Sequence, residues 1–214
     1  MKKISLLFSL CLAAVITFCG TARGQDTLQI QRPLFWHMDL VGGVTNLGSF
    51  GSATLRFYHE KSFVAIGYGG FNYEPDDLPS DYHTGAFAAA FGASDNLNSN
   101  SLLLLGYGTF INTAHQNARV LIEADAAIGS NRMAVNFRPV PALTQLFFGY
   151  VTGNYEYDYE MEFTIGVRLL GKAELCSRTF SVGINMETYI TTSTAAVGIG
   201  LSLGVGKLRK KNKE

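Results

Sequence analysis

Ala195-Ala196-Val197-Gly198-Ile199-Gly200-Leu201-Ser202-Leu203-Gly204-Val205-Gly206 sets a branched apolar residue at every odd position from Val197 onward and Gly, Ala or Ser at every even one. A period of two sends the two sets to opposite faces of a strand, one oily and one nearly bare. A segment of this length crosses a bilayer when tilted.

The same alternation recurs upstream. Between Glu160 and Leu170, Met161, Phe163, Ile165, Val167 and Leu169 oppose Glu160, Glu162, Thr164, Gly166 and Arg168. From Thr179 to Tyr189, Phe180, Val182, Ile184 and Met186 oppose Thr179, Ser181, Gly183, Asn185, Glu187 and Tyr189. A helix would need spacings of three and four, and Thr, Val, Ile, Gly and Tyr disfavour it. Earlier segments are noisier: Trp36, Met38 and Leu40 oppose His37, Asp39 and Val41; Leu55 and Phe57 oppose Thr54, Arg56 and Tyr58; Val120 and Ile122 oppose Leu121, Glu123 and Asp125. Residues 62–72, 83–93 and 101–111 are strands by composition and by their turn-rich borders.

With Arg132 to Arg138 as a further strand, the count is about ten, and eight is the alternative. Predicted inner turns are His59-Glu60-Lys61, Ser94 to Asn100, Gly129-Ser130-Asn131 and Lys172 to Ser177. Predicted outer loops are Thr45 to Gly51, Tyr73 to Tyr82, Asn112 to Asn117, Pro139 to Tyr159 and Thr191 to Thr194.

The N-terminus has the order of a secretory signal. Lys2 and Lys3 precede an apolar run from Ile4 to Phe18, and Ala22 and Gly24 are the small residues before a cut at Gln25. The division expected is a signal peptide at 1–24, a periplasmic segment at 25–33, a barrel at 34–208 and a basic tail at 209–214. Export leaves Cys176 as the single cysteine, so no internal disulfide forms. Residues 25–206 carry 9 basic and 16 acidic side chains, so the body is acidic while the tail is basic.

After cleavage no apolar run reaches the roughly 18 residues of a membrane helix. Hydrophobic content is nevertheless 47%, charged content 16%, and there are 23 glycines. A membrane barrel reconciles these values, since lipid covers its apolar outside and polar groups fill its inside.

The signal, the alternating strands, the aromatic residues at strand ends (Trp36, Tyr58, Tyr107, Tyr159, Tyr189) and the Gly-rich last strand resemble the small outer-membrane β-barrel proteins of Gram-negative bacteria. The resemblance spans residues 34–208. It implies an all-β, up-and-down antiparallel transmembrane barrel in the cell outer membrane, in contact with outer-membrane lipid and with an extracellular or envelope protein as candidate partner. The chain departs from that pattern by running past its last strand through Lys207 to Glu214, where such barrels often end on an aromatic residue.

Asp39, Arg56, Glu123, Asp125, Glu160, Glu162, Arg168 and Glu187 fall on the inward set. With mixed signs in a narrow lumen they are expected to form an ion-paired filling, with each arginine holding more than one carboxylate. The bare face of the last strand leaves room for long side chains from its neighbours. The acidic excess makes a small cation-preferring, porin-like pore the alternative.

Glu74, Asp76, Asp77 and Asp81 concentrate four carboxylates in one loop and are candidates for cation binding. No Gly serves the turn and the spacing fits no calcium loop, so a solvated acidic loop is the expectation and no metal site is assigned. Tyr155 to Glu160 alternates aromatics and acids, as an interfacial belt or a sticky surface would.

No catalytic residue is assigned. A lipid-modifying hydrolase would need a nucleophile beside a histidine; His37, His59, His83 and His115 lie in no such motif, and His37 and Asp39 share a strand face near Ser177 to Ser181 only if the barrel closes suitably. No cofactor is expected, and the short basic tail does not point to nucleic acid. A soluble lipocalin-like barrel would turn the alternation inside out, with Val197, Ile199, Leu201 and Leu203 around a cavity. The expected role is structural or interactive.

Overall fold

The computed structural model describes residues 35–83, 96–112, 118–141, 154–177 and 179–207. Its strands are β1 (Phe35–Thr45), β2 (Ser49–His59), β3 (Ser62–Tyr73), β4 (Asn98–Asn112), β5 (Ala118–Pro139), β6 (Tyr155–Cys176), β7 (Phe180–Thr191) and β8 (Ala195–Gly206). Each pairs antiparallel with the next, and β8 returns to β1, so the sheet closes with eight strands. The ring leaves no free edge within it, which an apolar solvent requires.

Eight replaces the expectation of about ten for two reasons. Gly129-Ser130-Asn131 has turn composition, yet it continues β5 in register, with Gly129 opposite both Leu102 and Thr164. Arg132 to Arg138 is therefore the upper end of β5. The other expected strand, 83–93, lies outside the described residues from Thr84 onward, and β3 pairs directly with β4 from Tyr73 opposite Asn98.

The turns move accordingly. Asn98 to Asn100 open β4 where a turn was expected. The outer loop expected at Asn112 to Asn117 lies outside the described residues from Thr113 onward, but β4 ends at Asn112 and β5 begins at Ala118 at the same end as the tight turn Glu60-Lys61. Lys172 to Cys176 complete β6 where a turn was also expected, and the reversal comes after Cys176. Glu60 has a φ of 56°, a left-handed conformation that strains a residue with a Cβ.

Outward positions are apolar and exposed. Val197, Ile199, Leu201 and Leu203 are 49–67% exposed on β8, and Val182, Ile184 and Met186 continue the girdle on β7. Even positions of β8 are buried throughout. This orientation is the reverse of the lipocalin alternative. An apolar girdle around a charged interior is the arrangement of a barrel that spans a membrane.

The bare inner face of β8 is occupied by its neighbours. A Cβ on Gly200 would stand 2.8 Å from the Phe50 ring, and one on Gly204 would stand 1.8 Å from His37 Nε2. Tyr58 and Tyr189, counted among the aromatic residues at strand ends, point inward with the polar set and are 5% and 0% exposed. Their positions share parity with Arg56 and Glu187, and parity overrides the interfacial preference of tyrosine.

Strand lengths are unequal. β5 and β6 have 22 residues each, whereas β7 and β8 have 12. Pairing of β6 with β7 starts at Gly166, and pairing of β4 with β5 reaches Arg132. Above those points β5 and β6 continue as a two-stranded ribbon. Its register shifts between Val135 and Arg138. Asn136, with a φ of 58°, lies in that bulge, and asparagine tolerates the conformation.

Candidate functional site

Two candidate sites follow from this architecture, the interior and the ribbon. The interior has three parts. At the end where β1 begins and β8 ends, Tyr58, Phe63, Ala65 and Leu121 cluster, with Phe35 and Phe110 against them. At the other end Phe50, Phe71, Leu102, Leu104, Ala127 and Tyr189 form a second cluster, with Val41 and Ala196. Charged groups lie between and beside these clusters, with Arg119 stacked on Tyr58 and Phe110 of the first.

Arg56 donates from Nη1 to Asp39 at 2.9 Å and from Nε to Glu123 at 2.5 Å. Arg168 donates to the other oxygen of Glu123 at 2.5 Å and to Asp125 at 2.6 Å, and lies 3.5 Å from Glu187. It also reaches Ser52 Oγ at 3.3 Å. Tyr189 and Asn185 donate to the two oxygens of Glu187. Each arginine thus holds more than one carboxylate.

Three charged members escaped the sequence analysis. Lys172 Nζ bridges Asp39 at 2.6 Å and Glu174 at 2.7 Å, and Arg119 pairs with Glu174. Lys172 and Glu174 fall in the segment expected as a turn, just after Leu170 interrupts the alternation. The signal was present: Gly171, Ala173 and Leu175 keep the outward parity around them. The layer holds four cations (Arg56, Arg119, Arg168, Lys172) and five carboxylates (Asp39, Glu123, Asp125, Glu174, Glu187), all at most 6% exposed. Removing one partner from such a set strands a buried charge, so its members stand or fall together.

Glu160 and Glu162 do not join this layer. They keep the inward parity of β6 but stand beyond Gly166, where the ring has ended, and both are exposed. Cys176 is a buried free thiol at the end of β6.

His37 Nε2 lies 2.9 Å from Ser181 Oγ, which resembles a nucleophile beside its base. Both residues are 0% exposed, and the other ring nitrogen faces Tyr58 OH at 3.4 Å in place of a carboxylate. A lipid ester has no approach to this serine within the described residues. The contact serves to satisfy buried polar groups.

The ribbon is two-faced. Tyr155, Tyr157 and Tyr159 share one face with Met161 and Phe163, and Glu156, Asp158, Glu160 and Glu162 share the other. On the aromatic face Phe137 packs on Tyr157 and on Tyr82 of the β3–β4 loop, and Arg132 stacks on Tyr159 at 3.4 Å. On the acidic face Arg138 pairs with Asp158 at 2.9 Å.

The β3–β4 loop is clasped to the ribbon. Asn154 donates to the backbone oxygen of Asp81 at 2.6 Å and accepts from the His83 amide, while Tyr155 OH donates to Asp81 Oδ1 at 2.8 Å. That carboxylate beside its hydroxyl raises the pKa of Tyr155 above the ordinary tyrosine value. Burial does the same for Tyr157. Asp81 is thereby engaged, and among the described residues no cluster of three or more His, Cys, Asp or Glu is arranged to hold a metal ion. Glu74, Asp76 and Asp77 are not brought to a common centre with it.

No protein-family model matches the sequence, and no curated protein matches it. Among solved structures, the N-terminal β-barrel domain of Pseudomonas aeruginosa OprF is similar at 9% identity and a TM-score of 0.49, over 80% of this chain and 96% of that one. Ail, the attachment invasion locus protein of Yersinia pestis, is similar at 8% identity and 0.44, over 81% and 96%. Neisserial surface protein A is similar at 11% identity and 0.39, over 82% and 96%. All three are outer-membrane β-barrel proteins of Gram-negative bacteria, and at these identities the similarity is one of fold.

Proposed function

We propose that this chain is an integral outer-membrane barrel, delivered by the segment 1–24, whose lumen is closed to ions and whose work is done outside, through the β5–β6 ribbon and the loop clasped to it. The observation carrying this reading is the filled interior. Four cations and five carboxylates fill the interior between and beside two aromatic clusters, with Arg119 stacked on Tyr58 and Phe110 of the first, and the arginines are 0–6% exposed. An ion crossing it would have to break several charge-assisted hydrogen bonds at once. Barrels of about eight strands have interiors just wide enough for side chains to fill.

The lengths of β5 and β6 support the outer role. β1 begins and β8 ends at one rim, where His37 pairs with Gly206, and the ribbon rises from the other. An exported chain whose termini stay on the periplasmic side therefore shows the ribbon to the exterior.

Reconstitution into planar bilayers tests the closed lumen. The purified barrel is expected to give no conductance steps. Regular cation-selective steps would reinstate the small pore.

A further inference from the structure

We infer that the free edge of β6, from Tyr157 to Phe163, receives an extended peptide as an added strand, and that this peptide carries basic side chains at alternate positions.

The edge follows from the hydrogen bonds at the rim. Thr192 N donates to Ile165 O at 2.9 Å, so the main-chain groups of Ile165 point toward β7. In a regular strand the same direction recurs every second residue. Tyr157, Tyr159, Met161 and Phe163 therefore point their amide and carbonyl groups to that side. Pairing of β6 with β7 begins only at Gly166, and among the described residues nothing pairs with those groups. The even residues satisfy β5 on the other side.

Open edges invite a further strand, and main-chain hydrogen bonds of this kind are the basis of recognition by strand addition. The side chains select the occupant. Glu156, Glu160 and Glu162 are exposed and make no hydrogen bond or ion pair among the described residues, whereas Asp158 is held by Arg138. If the added strand is antiparallel, these even positions are the non-hydrogen-bonded ones, where cross-strand side chains come closest. A lysine or arginine opposite each glutamate is favoured there and an acidic residue is opposed. The intervening residues meet the Tyr157, Tyr159, Met161 and Phe163 face, which suits branched apolar side chains. A second copy of this chain is the poorer occupant, because joining two such edges brings together two strips of like charge.

The inference rests on the outward-facing interaction role proposed above. The probe is a peptide of alternating lysine and valine spanning Tyr157 to Phe163, titrated into the full-length barrel in detergent micelles. Saturable binding is expected, weakening with salt. An isomer with its lysines and valines in separate blocks is expected to bind roughly tenfold more weakly, as main-chain pairing and charge pairing cannot then coincide. N-methylation of the valines, whose amides would face β6, is expected to abolish binding, whereas N-methylation of the lysines spares it. Met161→Pro removes an edge amide without touching a β5 bond and is expected to lower affinity roughly tenfold. Neutralising Glu156, Glu160 and Glu162 to glutamine should lower it further and flatten the salt dependence.

Equal binding of the block isomer, indifference to the position of N-methylation, or no saturable binding would overturn the inference. So would self-association of the barrel that Met161→Pro abolishes. The methylated peptides decide the matter even if the proline variant does not fold. Binding to intact cells separates the two readings: binding in micelles but not on cells leaves the edge standing and refutes the outward orientation.

Discussion

Lys172 Nζ lies 2.6 Å from Asp39 although 133 residues separate the two in the chain. The contact reaches from β6 to β1 through the barrel interior, between strands that are not neighbours in the sheet. Such a pair forms only after the ring has closed. It therefore ties side-chain packing to closure in a way that main-chain ladders between adjacent strands cannot.

The ion pairs rank by how many partners each cation would leave unpaired. Arg168 serves Glu123, Asp125 and Glu187, of which Asp125 and Glu187 have no other cation among the described residues. Lys172 serves Asp39 and Glu174, which keep Arg56 and Arg119. Arg168→Met is expected to destabilise the barrel by about 3–5 kcal/mol, the cost of uncompensated buried charge. Lys172→Met is expected to cost less, about 1–3 kcal/mol. Urea unfolding in lipid vesicles, read by loss of the heat-modifiable gel band, orders them. The reverse order would mean that local pairing does not govern this layer.

Glycine positions separate packing from backbone freedom. A methyl on Gly204 would fall 1.8 Å from His37 Nε2 and 2.6 Å from Ser181 Oγ, both buried. Gly204→Ala is expected to push the imidazole off Ser181 and to cost about 1–3 kcal/mol by overpacking. A methyl on Gly42 meets nothing within 4 Å. Gly42→Ala is expected to be neutral, or stabilising by up to about 1 kcal/mol. Paired unfolding curves check the contrast, and equal effects would refute the inward placement of Gly204.

The parity that organises these contacts was legible in β6, β7 and β8, where apolar and polar residues separate cleanly. It failed where an inward residue is itself apolar. Leu170 ended the visible pattern of β6, hiding Lys172 and Glu174. Leu121 is likewise inward, beside Glu123 and Asp125. At Gly129-Ser130-Asn131 composition misled for a different reason: a strand leaving an apolar medium becomes polar on both faces without reversing. Which inward side chains meet was beyond the sequence, since alternation assigns a face to each residue and names no neighbour. The meeting of His37 with Ser181 depends on β1, β7 and β8 being adjacent, which only topology provides.

The girdle is expected to respond to charge by depth. Leu201 points outward at 67% exposure in the middle of β8. Placed in lipid, Leu201→Arg is expected to cost about 2–4 kcal/mol. Glu160→Arg, on the exposed ribbon, is expected to stay within about 0.5 kcal/mol. The comparison requires vesicles, because micelles would soften the penalty at Leu201. Similar costs at both sites would place the girdle outside the bilayer.

The clasp between loop and ribbon should have an alkaline limit. Tyr155 OH donates to Asp81 Oδ1 at 2.8 Å, so ionising the phenol removes the donor and sets two negative charges against each other. The hydrogen bond to Asp81 is the main reason that the Tyr155 pKa lies above its ordinary value of 10.0. A pKa raised by folding contributes stability fully below the unfolded value and loses it as pH rises through the folded one, so the clasp should hold at neutral pH and loosen only above the ordinary tyrosine range. Asp81→Asn removes the carboxylate, and Tyr155 should then titrate closer to 10.0, while Tyr157, whose shift comes first from burial, should change little. Site-resolved NMR titration of labelled tyrosine ring carbons distinguishes the two. A Tyr155 that already titrates normally in the unmodified protein, or a Tyr157 that moves as far as Tyr155 in the variant, would show that the clasp is not what sets these hydroxyls apart.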